Sequence, residues 1–187
     1  MSDKNKRKEQ TNKIITAVIK EIQTSNGAVQ SIGFSASEVF HNSRLLIIQD
    51  DIQKEYEKLI KNIKALLGDN KPSYAPRKKI WEVGDLIVRT RENIGKKWGV
   101  YITNMAEAIA VALGYHPRFI QYMIQFREFV PKHEVCEDIS WTNYKELLDL
   151  KNKDQIKEGV LLIKTGKLRT REQIRKYVRE KNKEVTH

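Results

Sequence analysis

The chain has 187 residues, 40% hydrophobic and 32% charged, which suits one domain of ordinary size or a small domain with a helical extension and excludes a large multidomain enzyme. Lys and Arg total 35 against 24 Asp and Glu, a formal charge of +11, the profile of a protein that meets a polyanion. The longest uninterrupted apolar run, Leu45-Leu46-Ile47-Ile48, is too short to cross a bilayer, no signal-peptide core follows the basic first residues, and a single cysteine, Cys136, excludes an intramolecular disulfide framework. A soluble cytoplasmic protein held together by core packing is expected.

Residues 1–11 are polar and basic without apolar periodicity and read as a flexible arm. From 12 onward, Ile14, Ile15, Val18, Ile19 and Ile22 fall on one helical stripe that stops at Ser25-Asn26-Gly27, which predicts a short amphipathic helix followed by a loop over 25–37. A second helical pattern begins at Ser37-Glu38 and carries Leu45, Ile48, Ile52, Tyr56, Leu59, Ile63 and Leu66 at near-heptad spacing. Such a seam suits pairing with a second copy or packing on the first helix, so 12–67 is expected to be a helical dimerisation or bracing region. The stretch 68–79, with two prolines and a turn cluster, reads as a linker. Helical patterns then follow at Ile80–Glu92, Thr103–Leu113, Pro117–Val130, Trp141–Leu150, Lys153–Thr165 and Thr170–Lys181, with 182–187 as a tail. The predicted fold is mainly α, a helical hairpin or dimerisation unit followed by a helix-turn-helix, winged-helix-like domain over 80–181. Any strands are expected in a small wing near 134–140 or a short hairpin.

The most informative window runs from Asn104 to Met123. A helix-turn-helix needs a small residue where its helices cross, a residue tolerant of positive φ four positions later, and an apolar stripe on the second helix. Ala110, Gly114, Ile120 and Met123 meet these needs, with Tyr115 available to plug the turn and Pro117 at a first-turn position. In that register the second helix presents His116, Arg118, Gln121, Tyr122 and Gln125 outward. Arg can pair with guanine and Gln with adenine, so these five are the candidate base-reading residues.

Candidate phosphate contacts are Arg77, Lys78, Lys79, Lys96 and Lys97, then Arg127, and finally Lys167, Arg169, Arg171, Arg175 and Arg179 in a segment where 167–183 holds eight basic and two acidic residues. In that last segment Leu168, Ile174 and Val178 can face the core. Trp81, Trp98 and Trp141 read as core anchors. The His133-x-x-Cys136 pair has no second pair, and no glycine-rich phosphate loop occurs, so no metal and no cofactor are expected.

Ile80-Trp81-Glu82-Val83-Gly84-Asp85-Leu86-Ile87 resembles the YWEIGRRI signature that opens the N-terminal domain of YhcG-type proteins. Matches follow in order: Trp98-Gly99, Gly114-Tyr115 through Phe119, Met123, Phe126 and Pro131, then Ile139-Ser140-Trp141 through Leu148, then Leu168 through Ile174. The resemblance covers about 80–178 and implies a helical, winged-helix-like, DNA-associated domain. It departs from the family at Tyr115-His116-Pro117-Arg118 and at Leu168. Residues 139–178 also resemble, loosely, the helical DNA-binding part of ParB-type partition proteins. The PDDEXK nuclease that often follows the YhcG-type domain has no counterpart here: Asp69-Asn70-Lys71 and Asp149-Leu150-Lys151 lack the strand context that its magnesium site needs.

The expected function is therefore DNA binding without catalysis, as a regulator or accessory factor of a mobile element or defence system. Duplex DNA and a second copy of the chain are the expected partners, with no membrane. The alternative is a protein-interaction module that recruits or restrains a separately encoded nuclease or other mobile-element protein.

Overall fold

Residues 15–24 alternate Ile15, Ala17 and Ile19 towards one side, and the run is rich in β-branched residues, which a pleated surface accommodates better than a helix does. In the computed structural model, which describes residues 15–25, 27–35, 37, 39, 42, 44–68, 74–150 and 152–184, this segment is a strand, β1 (Ile15–Thr24). It turns back into β2 (Gly27–Phe34), antiparallel, with Val18 opposite Gly33 and Ile22 opposite Val29. The expected first helix is thus a strand, and the expected loop over 25–37 is largely its partner. A short apolar run fits both periodicities, and Asn26-Gly27 is a hairpin turn signal as well as a helix stop. The arm 1–11, Ile14, Glu38, residues 69–73 of the linker and 185–187 of the tail lie outside the described residues.

Further along the described residues come α1 (Arg44–Leu67), α2 (Arg77–Trp98), β3 (Val100–Ile102), α3 (Met105–Leu113), α4 (Pro117–Phe129), α5 (Trp141–Leu148), α6 (Lys153–Lys164) and α7 (Arg171–Glu184). The molecule is mainly helical, with one small sheet in the order β2-β1-β3. β3 pairs with β1 in parallel, Ile15 opposite Val100 and Ala17 opposite Ile102. Residues from both sides of 68–79 therefore share one sheet and one hydrophobic core. The expected wing near 134–140 is instead a single 3-10 turn, Lys132–Glu134, followed by loop.

Side-chain amides complete the sheet edges. Gln53 of α1 donates to Gln30 O (2.9 Å) and accepts from Ile32 N–H (3.0 Å), while Gln49 donates to Ile32 O (2.6 Å). The outer edge of β2 is thereby covered from Gln30 to Ile32. On the other side Asn104 accepts from Ile19 N–H (2.8 Å) and donates to Ile19 O (2.7 Å), extending the ladder beyond the end of β3.

The near-heptad stripe of α1 is consumed inside the chain. Leu45, Ile52, Tyr56, Leu59, Ile63 and Leu67 are buried, with Ile48 and Leu66 half-buried, where α1 packs against α2, β2 and α3. A two-helix seam with a second copy would need those same side chains. Tyr56 donates to Gln30 Oε1 (2.7 Å), and burial pushes its hydroxyl pKa up. α2 runs through the core: Ile80, Val83, Ile87, Val88 and Ile94 face inward, and Gly84 lies at the crossing with α4.

Candidate functional site

The corner between α3 and α4 forms as its residues dictate. Ala110 and Ile109 are fully buried, and Gly114 ends α3 in the left-handed region, φ 69°. There a side chain would be strained. Pro117 opens α4, where its missing N–H removes no helical bond. His116 caps this helix, its Nδ1 accepting from Arg118 N–H at 3.2 Å. A residue expected to read bases thus also holds the helix entrance. Ile120, Met123 and Phe126 bury the inner face of α4. An aromatic chain ties it to the neighbouring elements: Tyr115 on Phe119 (5.8 Å between centroids), Phe119 on Trp141 (5.9 Å), Phe126 on Trp141 (5.3 Å) and on Tyr144 (4.6 Å).

With 3.6 residues per turn, Arg118, Gln121, Tyr122 and Gln125 fall in one arc opposite that buried face. Arg118 is exposed, and the other three are half-buried. They divide into two environments. Gln121 and Gln125 border an open hollow of about 350 Å³ with Arg91, Tyr101, Glu107 and Glu128. Gln125 Oε1 is buried and has no hydrogen-bond partner among the described residues. Arg118 and Tyr122 instead meet Asp149 at the end of α5. The guanidinium donates to Asp149 Oδ1 at 3.1 Å, the Tyr122 hydroxyl donates to the same oxygen at 2.8 Å, and the guanidinium lies 4.7 Å from the Tyr122 ring centroid. Contact with Tyr122 and then with Asp149 raises the Arg118 pKa, while burial, followed by the bond to Asp149, raises that of Tyr122.

Asp149 also borders an open cleft of about 700 Å³ between α5 and α7, with Glu146, Arg171, Arg175, Arg179 and Asn182 among its walls. Ile174, Tyr177 and Val178 bury one side of α7, leaving Arg171, Arg175 and Arg179 on the exposed side. Two of these arginines are already engaged. Arg171 Nε donates to Glu146 Oε1 at 2.7 Å and Arg175 Nε to Glu146 Oε2 at 3.1 Å. Burial opposes ionisation of Glu146, but the Arg175 and Arg171 guanidinium groups outweigh it and hold its carboxyl below the usual range. Arg179 makes no ion pair among the described residues. The first turn of α4 and the basic ridge of α7 thus meet on either side of Asp149. Arg169 donates to Gly166 O at 2.8 Å in the turn before α7, and Lys167 stands exposed beside it.

The other sequence-selected cations lie elsewhere. Arg127 points to the opposite side of α4, where its Nε donates to Asp85 Oδ1 at 3.1 Å, and Arg89 pairs with the second oxygen of Asp85 at 2.8 Å. Asp85 is 9% exposed, so this pair of arginines neutralises a buried carboxylate at the α2–α4 crossing. Arg127, expected at phosphate, is thus engaged in a fold contact. Arg77 and Lys78 open α2, and their N–H groups donate to the Glu137 carboxylate at 2.6 and 3.0 Å. Lys79 is exposed on the same turn. Lys96 and Lys97 sit at the far end of that helix, ~28 Å away at 1.5 Å per residue. Lys97 stacks on Trp98, 4.3 Å from the ring centroid. Trp141 is fully buried, and Trp81 donates to Val130 O at 2.7 Å, so both serve as anchors.

Sequence reasoning gave Asp85 and Glu146 no role and weighed Asp149 only within an isolated Asp-x-Lys triplet, yet all three carboxylates hold arginines. Their partners lie 25 to 42 residues away, and only Arg89–Asp85 has local helical spacing. No family model, no curated protein and no solved structure matches the chain.

Proposed function

We propose that the chain is a non-catalytic duplex-DNA-binding protein in which α3 and α4 act as a helix-turn-helix in a winged-helix-like setting. The observation that carries this reading is the meeting of the first turn of α4 with the arginine ridge of α7 around Asp149. A helix N-terminus with Arg118 on its outer face favours an anionic partner, and the neighbouring ridge supplies cations suited to phosphate. Arg118, Gln121, Tyr122 and Gln125 would face base edges, while Arg179 and the exposed Lys167 and Arg169 would approach the backbone. The resemblance of 80–178 to the YhcG-type N-terminal domain supports the same class, and a role beside a mobile-element or defence nuclease is the corresponding context.

Binding to duplex DNA, single-stranded DNA and duplex RNA should be followed by fluorescence polarisation across salt, with selection of enriched duplex sequences. Arg118→Ala is expected to relax base preference, and Arg179→Ala to weaken binding to all sequences alike and to flatten the salt dependence by about one unit of slope. Equal, sequence-blind losses from both variants would overturn the division of roles. Arg175→Ala is less informative, because it also removes a partner of Glu146.

One observation favours the second reading, a protein-interaction module. The outer face of the sheet leaves Val18, Ile22, Val29 and Tyr101 between 37% and 48% exposed. Exposed apolar side chains grouped on one sheet face suit a protein partner. Capture of a nuclease or other protein that persists after nuclease digestion and in high salt would favour this reading, and loss under either treatment would favour DNA bridging.

A further inference from the structure

A carboxylate in the middle of a DNA-facing surface repels phosphate, so its presence calls for a compensating use. Asp149 occupies such a place, at the C-terminal cap of α5 between Arg118 and the α7 ridge. Its Oδ1 accepts from both Arg118 and Tyr122, at 3.1 and 2.8 Å, and the ring of Tyr122 supports the guanidinium from beside it. One oxygen thus fixes two side chains of the reading arc. The Arg118 side chain is 51% exposed and that of Asp149 40%. A solvent-exposed pair of this kind contributes little to stability, so fold stability is a poor account of the arrangement. A guanidinium held by one edge keeps its remaining N–H groups aimed outward, in the geometry that bidentate pairing with guanine requires.

We propose that Asp149 is a positioning residue that sets sequence preference: it orients Arg118, with Tyr122, towards one base pair and gives up some general affinity in doing so. The inference rests on the DNA-binding reading above. Its distinguishing feature is that the two effects of removing the carboxylate have opposite signs. Loss of the negative charge strengthens binding to any duplex. Loss of the tether frees the Arg118 rotamers and blurs discrimination at the base pair that Arg118 faces.

The test compares wild type, Asp149→Ala and Asp149→Asn on the duplex selected by the wild-type protein and on duplexes changed one base pair at a time. For Asp149→Ala, affinity for random duplex should rise severalfold, and discrimination at one position should fall by about tenfold, the scale of one bidentate contact. Other positions should be unchanged. Asp149→Asn keeps a neutral acceptor, so it should show the affinity gain with most of the discrimination retained. Tyr122→Phe, which removes only one of the two bonds to Asp149, should lose part of the discrimination without the affinity gain. Undiminished discrimination in Asp149→Ala overturns the proposal while leaving DNA binding intact. A wild-type protein that binds no duplex overturns both together. Circular dichroism of each variant separates these results from a folding defect.

Discussion

Gly84 stands where α2 crosses α4, and a Cβ at that position would run into the backbone carbonyl of Met123. Backbone cannot turn aside, so Gly84→Ala must push the two helices apart. The expected cost is about 2–4 kcal/mol, read from denaturant unfolding. Gly159 provides the internal comparison. A Cβ there would meet Leu147 Cδ2 at 2.5 Å, a side-chain terminus that can change rotamer. Gly159→Ala should therefore cost about 1 kcal/mol, and equal losses at the two sites would overturn the assignment of Gly84 to the crossing. Neither requirement was legible in the sequence, where Gly84 is one member of an apolar-periodic stretch. The same holds for Asp85 and Asp149, whose roles depend on arginines brought close only by folding. What residue types alone did convey was local: a glycine with positive φ after Ala110, a proline at the start of α4, and an indole at Trp141 large enough to fill a core.

At the scale of elements, the six helices from α2 onward follow their apolar spacing closely, because each buries one stripe and leaves the other side to solvent. β1 escaped that reasoning because Ile15 to Ile22 satisfies both helical and strand periods, and its partners were unreadable: β3 is three residues long, and part of the ladder is supplied by Asn104. The docking of α7 on α5 adds an electrostatic clasp, Glu146 held by Arg171 and Arg175, with the Glu146 side chain only 15% exposed. A carboxyl whose folded-state pKa lies below its unfolded value adds stability above the unfolded value and loses it as pH falls through the folded one. The attachment of α7 should accordingly be intact above about pH 5 and weaken progressively below about pH 4. Hydrogen exchange of α7 amides across that range, with α2 as the internal reference, reads the effect. Glu146→Gln should make α7 exchange faster at neutral pH and remove its acid sensitivity. An unchanged pH profile in that variant would show that the clasp does not anchor the helix.

For the whole molecule, the formal charge of +11 says little until the cations are sorted by what they face. Arg127, Arg89, Arg171 and Arg175 are each engaged with a carboxylate of the fold. The cations at the two ends of α2 are ~28 Å apart along the axis, so one compact contact cannot use both. What remains for phosphate is Arg179 at the cleft beside Asp149 and, towards the other end of α7, the exposed Lys167 and Arg169, about three contacts if each meets one phosphate. Counterion release then predicts a slope of log affinity against log salt of about −3, a loss on the order of fiftyfold between about 50 and about 200 mM. A slope near −5 or steeper would mean that the duplex also reaches Lys96 and Lys97 or the Arg77–Lys79 turn, and hence that it bends or that two chains share it. Lys96→Gln with Lys97→Gln separates these cases, since it leaves the slope unchanged if DNA meets only the α4–α7 surface and reduces it by about two if the far end of α2 is part of the footprint.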